Sequence, residues 1–361
     1  MTGLPRFAVN RLDMRSPAAF AASAQHAERL GFGAACVPSS PLLVQDPYVL
    51  LSHALAATSS LRLGPLIENP VTRHPAVIAG SIATLERLAP GRTWLGLGAG
   101  DTAVRLLGLA PARIAELEAA TTLVRRLLAR EDIEVGARAP ARLRHAAAVP
   151  VWIAAQGPRT LRMAGRVADG VFLRAGCSPR VLAHAVEQVR AGAREAGRDV
   201  SEVRFSLVLH TVLDDDAART DVIARAIAAG YYEYSPALFA LAGVGWAGPD
   251  VHALQKLVWP DFHHAADLHA AGGHVAFLGQ DAMDAFALHG DGARVRAQLR
   301  GLLAVAASLG VAFEMIVLHP VPVWPGPQDV NAVLERFAAE VVSPLQSGPE
   351  LSGPEHAGSE Q

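Results

Sequence analysis

One pattern constrains this chain more than any other: a short apolar run followed by a longer segment of helical periodicity, repeated from end to end. Arg6–Asn10 ("RFAVN") precedes a helical stretch over Pro17–Leu30, with Ser16 placed to cap it and Pro17 in its first turn. Ala34–Val37 is followed by a helix opened by Asp46 and running through Thr58, Arg62–Ile67 by Pro75–Leu88, and Thr93–Leu97 by Pro111–Leu128. Val151–Ala155 pairs with Pro158–Val167, Val171–Arg174 with Pro179–Ala196 behind the cap Ser178, and Val203–Leu213 leads to the acidic run Asp214–Asp216. Phe313–Pro320 and Val330–Val342 close the series. Strands that alternate with helices, without consecutive hairpins, pair in parallel through right-handed crossovers. Eight such strands predict an α/β fold, a (β/α)8 TIM barrel rather than an open doubly wound sheet.

Two segments exceed a minimal barrel. Residues 130–149 read as an irregular or hairpin-like insertion before the fifth strand, and residues 217–309 as a helical insertion between strands seven and eight. Such additions sit over the C-terminal mouth of a barrel or at a subunit contact. Residues 1–346 are therefore expected to form a single domain, and residues 347–361, poor in apolar side chains, a disordered tail.

Composition narrows the partners. The formal net charge is −2, from 32 basic and 34 acidic residues, which lacks the basic excess of a nucleic-acid binder. The expected partner is a small-molecule substrate. Cys36 and Cys177 fit neither a disulfide framework nor a metal spacing and read as buried thiols of a reducing cytoplasm. The N-terminus does not read as a signal peptide, and no uninterrupted apolar run reaches the roughly 18 residues of a membrane span. Histidines 263, 264, 269 and 274 match no zinc motif, so no metal is expected.

Candidate site residues cluster where strands end. "LGLGAGD" (Leu95–Asp101) looks like a dinucleotide loop, but its glycines are spaced G-x-G-x-G and follow the fourth strand, which argues against a Rossmann fingerprint. On a barrel, Gly98 and Gly100 let the backbone approach a ligand or merely relieve crowding, and Asp101 is a mouth-lining or turn residue. In "ENPVTRHPAV", two prolines fix a loop carrying Glu68, Asn69 and His74; His74 caps a helix or serves the site, and Glu68 reads as a solvated carboxylate unless it is catalytic. Gln156, Gly157 and Arg159 open one helix, and Arg174 to Ser178 lead into another. Two adjacent helix N-termini favour a phosphorylated cofactor.

The stretches "NPVTRHPAVIAGSIATLERLAPGRTWLGLGAGD", "GLAPARIAELE" and "VPVWIAAQGPRTLRMAGRVADGVFL" resemble the bacterial luciferase-like superfamily of flavin-dependent oxidoreductases. The likeness is greatest to its deazaflavin branch, typified by methylenetetrahydromethanopterin reductase. It covers strands one to six and strand eight, and hardly touches residues 217–309. The resemblance implies coenzyme F420, with FMN as the alternative, at the C-terminal mouth. It implies that Leu66, Ile67 and Asn69 back the ring, with Leu66–Ile67 the candidate for a cis peptide bond. Gly98, Ala99 and Gly100 would lie beside the ring, and Gln156, Gly157, Arg174, Ala175 and Gly176 would hold the phosphate. Many relatives carry an Asp-His pair or an Asp at the end of strand two; here Ser39 and Ser40 stand there, which removes that acid/base and makes both serines candidate substrate contacts.

The implied activity is hydride transfer between F420 and a small organic substrate. The alternatives are a reduced-FMN-dependent monooxygenase served by a separate flavin or F420 reductase, and a cofactor-binding barrel without turnover. Glu68, His74 and Asp101 are the candidate catalytic side chains, and His210 and His319, at the ends of strands seven and eight, candidate substrate contacts or core residues. The aromatic residues Tyr231, Tyr232, Tyr234, Trp246 and Trp259 suit a lid or the interface of a homodimer.

Overall fold

Helix starts are set by local chemistry. Ser16, Asp46, His74 and Ser178 each offer a side-chain acceptor to a first-turn N–H, and a proline follows each where a missing N–H is harmless. The computed structural model describes residues 4–134, 136, 138–323 and 329–347. In chain order it holds β1 (Arg6–Val9), α1 (Pro17–Arg29), β2 (Ala34–Val37), α2 (Pro47–Ala57), β3 (Arg62–Pro65), α3 (Pro75–Leu88) and β4 (Leu95–Leu97). Then come α4 (Thr102–Arg105), α5 (Ile114–Leu128), β5 (Val151–Ala155), α6 (Pro158–Val167), β6 (Gly170–Leu173), α7 (Pro179–Glu195) and β7 (Arg204–Leu213). The long insertion contributes α8 (Ala217–Tyr234), α9 (Pro236–Ala242), α10 (Val251–Leu254), α11 (Leu268–Gly273), α12 (Gln280–Phe286), β8 (Leu288–Gly290) and α13 (Gly292–Ser308). Strand β9 (Phe313–Pro320), α14 (Val330–Phe337) and α15 (Ser343–Ser347) end the described chain.

All pairings among these strands are parallel, in the order β3-β2-β1-β9-β7-β6-β5-β4. Bridges Leu63–Thr93 and Glu68–Leu97 join β3 to β4, so the eight strands form the expected barrel. The departure lies in the insertion: β8 pairs with the last residues of β7, Thr211 to Leu288 and Leu213 to Gly290. A three-residue strand carries no periodicity of its own, so the alternation of apolar residues had no means of marking it.

Other boundaries shift locally. A one-turn helix, α4, follows the glycine loop at once, ahead of the helix expected from Pro111, which begins at Ile114. Strand β3 ends at Pro65, one residue before the cis Leu66–Ile67 peptide bond. Residues 130–149 hold an antiparallel bridge, Ile133 to Ala141, in line with a hairpin-like insertion. The final helix breaks into a π-turn over Ala338–Val342. Of the expected tail, all but Ser347 lies outside the described residues.

Alternation along the strands sorts side chains into two sets. Phe7, Val9, Ala35, Val37, Val171 and Leu173 face the helices, whereas Ala8, Ala34, Cys36, Trp94, Trp152, Phe172, Val208, Met315 and Val317 fill the barrel. The N-terminal end is sealed. Glu314 accepts from Arg62 Nη1 (2.5 Å) and Arg204 Nη1 (3.0 Å), and these guanidinium groups lie over Trp94 and Trp152, 5.9 and 5.2 Å from the ring centroids.

Candidate active site

Two residues beyond each filled layer, the same alternation places Asn10, Gly98, Gln156, Arg174, His210 and His319 inward at the C-terminal mouth. Asn10, Ala99, Gln156, Gly157, Arg174 and His319 are only half-buried there. Buried polar atoms without a partner among the described residues mark this end. They are Asn10 Oδ1, Ser40 Oγ, Gln156 Nε2 and His210 Nδ1, contributed by four different strand ends. Lower in the barrel, Trp94 Nε1, Trp152 Nε1 and Ser206 Oγ also lack a partner among the described residues.

One half of the mouth is walled by β3 and β4. Ile67 follows the cis peptide, and a Cβ on Gly98 would meet Ile67 Cδ1 at 2.0 Å. The glycine therefore admits the Ile67 side chain, so the close approach it permits is within the protein. Gly100 has φ +74°, and a Cβ there would meet Val104 at 2.4 Å. Asp101 accepts from Arg105 Nε (2.5 Å) and does not cap α4. Asn69 Oδ1 accepts from Val71 N and Thr72 N and fixes the loop that follows.

Glu68 departs from the expected solvated carboxylate, being fully buried. Oε1 accepts from Ser39 Oγ (3.0 Å) and Asn69 N (2.9 Å), and Oε2 lies 3.3 Å from Arg73 Nε. Burial raises its pKa against the pull of the Asn69 amide and Arg73. The Arg73 guanidinium also pairs with Asp46 (2.6 Å) and lies 4.9 Å from the centroid of the buried Tyr48 ring. His74 is exposed, its Nδ1 accepting from Ala76 N as the cap of α3, and so belongs to the helix start.

The two helix N-termini expected to hold a phosphate differ. The N-terminus of α6 has no side-chain cap, and a Cβ on Gly157 would meet nothing within 4 Å. That of α7 is capped by Ser178, and its approach is covered by the insertion. Cys177 N donates to Ala285 O (2.7 Å), Ala175 and Gly176 are buried, and a Cβ on Gly176 would meet Ala285 O at 2.7 Å. Alternation turns Arg174 into the barrel, where it reaches His263 and the Tyr231 ring.

The insertion forms the other wall. His263 is buried, stacked on His210 (centroids 4.6 Å, 16°) and facing Tyr234 (5.7 Å, 19°). Its Nε2–H donates to Ile227 O (3.0 Å), so Nδ1 accepts from Arg174 Nη2 (3.4 Å). His319 lies 4.9 Å from His210, and its Nδ1 accepts from Asn10 Nδ2 (3.2 Å). Burial first, then neighbouring imidazoles and Arg174, push His210 and His263 well below the usual histidine range. Burial and Arg11 lower His319 to about 3. Thr102 Oγ1 donates to Asp261 Oδ2 (3.2 Å), which ties the β4 loop to the segment bearing His263. Sequence reading grouped His263 with three other histidines. His264 pairs instead with Asp261, and His269 and His274 are exposed. Two described cavities, about 500 and 400 Å³, share no lining residue with the mouth.

Comparison with known proteins agrees with this architecture. The profile of a family described as luciferase-like monooxygenase matches residues 4–308. The 5,10-methylenetetrahydromethanopterin reductase of Methanolobus tindarius is 30% identical over 286 residues, covering 74% of this chain and 82% of the relative. The F420-dependent glucose-6-phosphate dehydrogenase of Nakamurella multipartita is 33% identical over 177 residues, covering 45% of this chain and 52% of the relative. Among solved structures, the coenzyme F420 dependent tetrahydromethanopterin reductase of Methanopyrus kandleri superposes with a TM-score of 0.74 at 24% identity, covering 94% of this chain and 99% of the other. A profile match over most of the barrel and a relative aligned along most of its own length carry the same conclusion: the chain belongs to the luciferase-like family of oxidoreductases.

Proposed function

We propose that this protein transfers hydride between coenzyme F420 and a small organic substrate held in the barrel mouth. The observation that carries this reading is the set of polar atoms at Asn10, Ser40, Gln156 and His210, unpartnered among the described residues, at the same end of the barrel as the Leu66–Ile67 turn. A site of this kind holds a ligand with both donors and acceptors. The names of the relatives favour F420 over FMN. When bound, the deazaflavin supplies the hydride acceptor or donor.

The chain's own residues then orient and protect. Leu66, Ile67 and Ala99 back the ring, and Asn69 fixes their loop. The uncapped N-terminus of α6, with Gln156 and Gly157, takes the phosphate through free N–H groups and the helix dipole. Ala175 and Gly176 support this wall from beneath the insertion. Ser39 Oγ and Glu68 Oε1 form a pair that holds a proton behind the turn, in place of the acid/base absent from strand two. The histidine stack excludes water from the other wall.

In this reading the protein is a cytoplasmic homodimer, and a separate F420 or flavin reductase supplies reduced cofactor. The exposed Leu42, Leu43, Val49 and Val77 are apolar surface that such a dimer would cover. Fluorescence titration of the purified protein with F420 and, separately, with FMN tests the assignment. Saturable binding of F420 is expected. Tight binding of FMN alone would overturn it in favour of a monooxygenase, and F420 binding without oxidation or reduction of any substrate tried would leave a binding barrel.

A further inference from the structure

Among the described residues, the acidic side chains around the mouth are committed to partners. Asp261 accepts from His264 Nδ1 (2.7 Å), from the His263 and His264 amides, and from Thr102. Glu233 accepts from Gln255 Nε2 (2.9 Å) and Phe262 N (3.0 Å). Asp101 is paired with Arg105, and Glu68 is enclosed by Ser39, Asn69 and Arg73. Arg174 is not neutralised in this way. Among the described residues its partners are the neutral His263 imidazole and the Tyr231 ring, whose centroid lies 5.8 Å away. A half-buried guanidinium in a low-dielectric mouth, without a carboxylate, carries a desolvation cost that an anionic ligand removes.

The groups beside it are matched to an oxyanion. His263 spends its one proton on Ile227 O and its lone pair on Arg174, which fixes the guanidinium from the insertion side. Asn10 occupies His319 Nδ1, so His319 carries its proton on Nε2 as a second donor. With three imidazoles held neutral, the positive charge here lies on guanidinium groups, Arg174 in the wall and Arg11 beside His319, where Arg11 Nη1 donates to Pro320 O (3.5 Å). A carboxylate offers one oxygen to Arg174 and the other to His319 Nε2–H.

We propose that the substrate of this site carries a carboxylate, held by the Arg174 guanidinium and His319 Nε2–H. The proposal rests on the hydride-transfer reading above and names its substrate class. It also gives Arg174 to the substrate, leaving the cofactor phosphate to α6.

Histidine-ring NMR on the full chain, with and without bound F420, tests it, with H263Q used to assign the ring signals. The probes are propionate and benzoate, set against propionamide and benzamide. Saturable shifts of the His263 and His319 signals are expected with the carboxylates and not with the amides, in both forms of the protein. Arg174→Gln should weaken carboxylate binding about tenfold or more, Arg174→Lys should restore part of it, and F420 affinity should stay within about twofold. Equal shifts from acids and amides would overturn the proposal. So would a parallel loss of F420 affinity in R174Q and R174K, or displacement of the carboxylate by F420, because the guanidinium would then serve the cofactor. Failure of the wild-type chain to bind F420 would sink the hydride-transfer reading alone, since the titration of the cofactor-free chain reads the carboxylate site independently.

Discussion

Ser39, at the end of β2, donates its hydroxyl to the buried Glu68 carboxylate across the gap to β3, at 3.0 Å. Glu68 also gathers the Asn69 amide and Arg73, so one side chain joins two strand ends to the loop bearing Asn69.

Removing that carboxylate strands its partners. Glu68→Ala leaves Ser39, the Asn69 N–H and part of Arg73 without an acceptor, at an expected cost of about 2–4 kcal/mol. Glu68→Gln keeps an acceptor for Ser39 and Asn69, and an expected cost of about 1–2 kcal/mol separates it from Ala. Urea unfolding of both variants checks the order, and equal losses would show that the Ser39 and Asn69 bonds contribute nothing.

Stability should fall with acidification below about pH 6.5. His210, His263 and His319 are neutral in the folded barrel, with pKa values pushed down by burial, while the unfolded chain protonates them at the ordinary 6.5. The unfolded state therefore binds more protons, and each histidine withdraws up to about 1.4 kcal/mol per pH unit through this window, down to about pH 3 for His319. Glu68, whose pKa is raised, works in the opposite direction over part of the range. Thermal unfolding of wild type against His319→Asn at successive pH values measures the effect, with a shallower pH slope expected in the variant.

Gly98→Ala should push Ile67 aside, because the added methyl carbon would occupy the position of its Cδ1. A loss of about 1–3 kcal/mol is expected, together with weaker F420 binding. Ile67→Val removes the colliding methyl, so the double variant should recover more stability than the two single changes add up to. Strict additivity in a double-mutant cycle would mean that the two residues do not compete for that space.

Glu314→Gln should destabilise without touching cofactor affinity. It leaves Arg62 and Arg204 facing each other at the sealed end of the barrel, for about 2–4 kcal/mol, while F420 titration should match wild type. A change in affinity would mean that the two ends of the barrel are coupled.

Much of the barrel was legible because its signals are local. Ser16–Pro17, Asp46–Pro47, His74–Pro75 and Ser178–Pro179 announce helix starts through bonds made within one turn. Strands β1 and β5 to β7 are apolar runs bounded by polar or turn residues. What failed to read was long-range. The burial of Glu68 depends on Ser39, 29 positions away, and the Arg174–His263 contact spans 89. Gly98 showed its lack of a side chain but not which neighbour fills the space. The closure of α7 by Ala285 and Phe286 depends on an insertion whose path no local pattern encodes.

Strand β7 runs ten residues, outlasting its pairing with β6 at Leu207, and its last three residues hold β8. The insertion is thus a graft set in backbone hydrogen bonds, whose alignment to the barrel survives replacement of its side chains. Substitutions in the helices of the insertion would thus leave its attachment in place, because β7 pins its β8 edge through main-chain bonds alone.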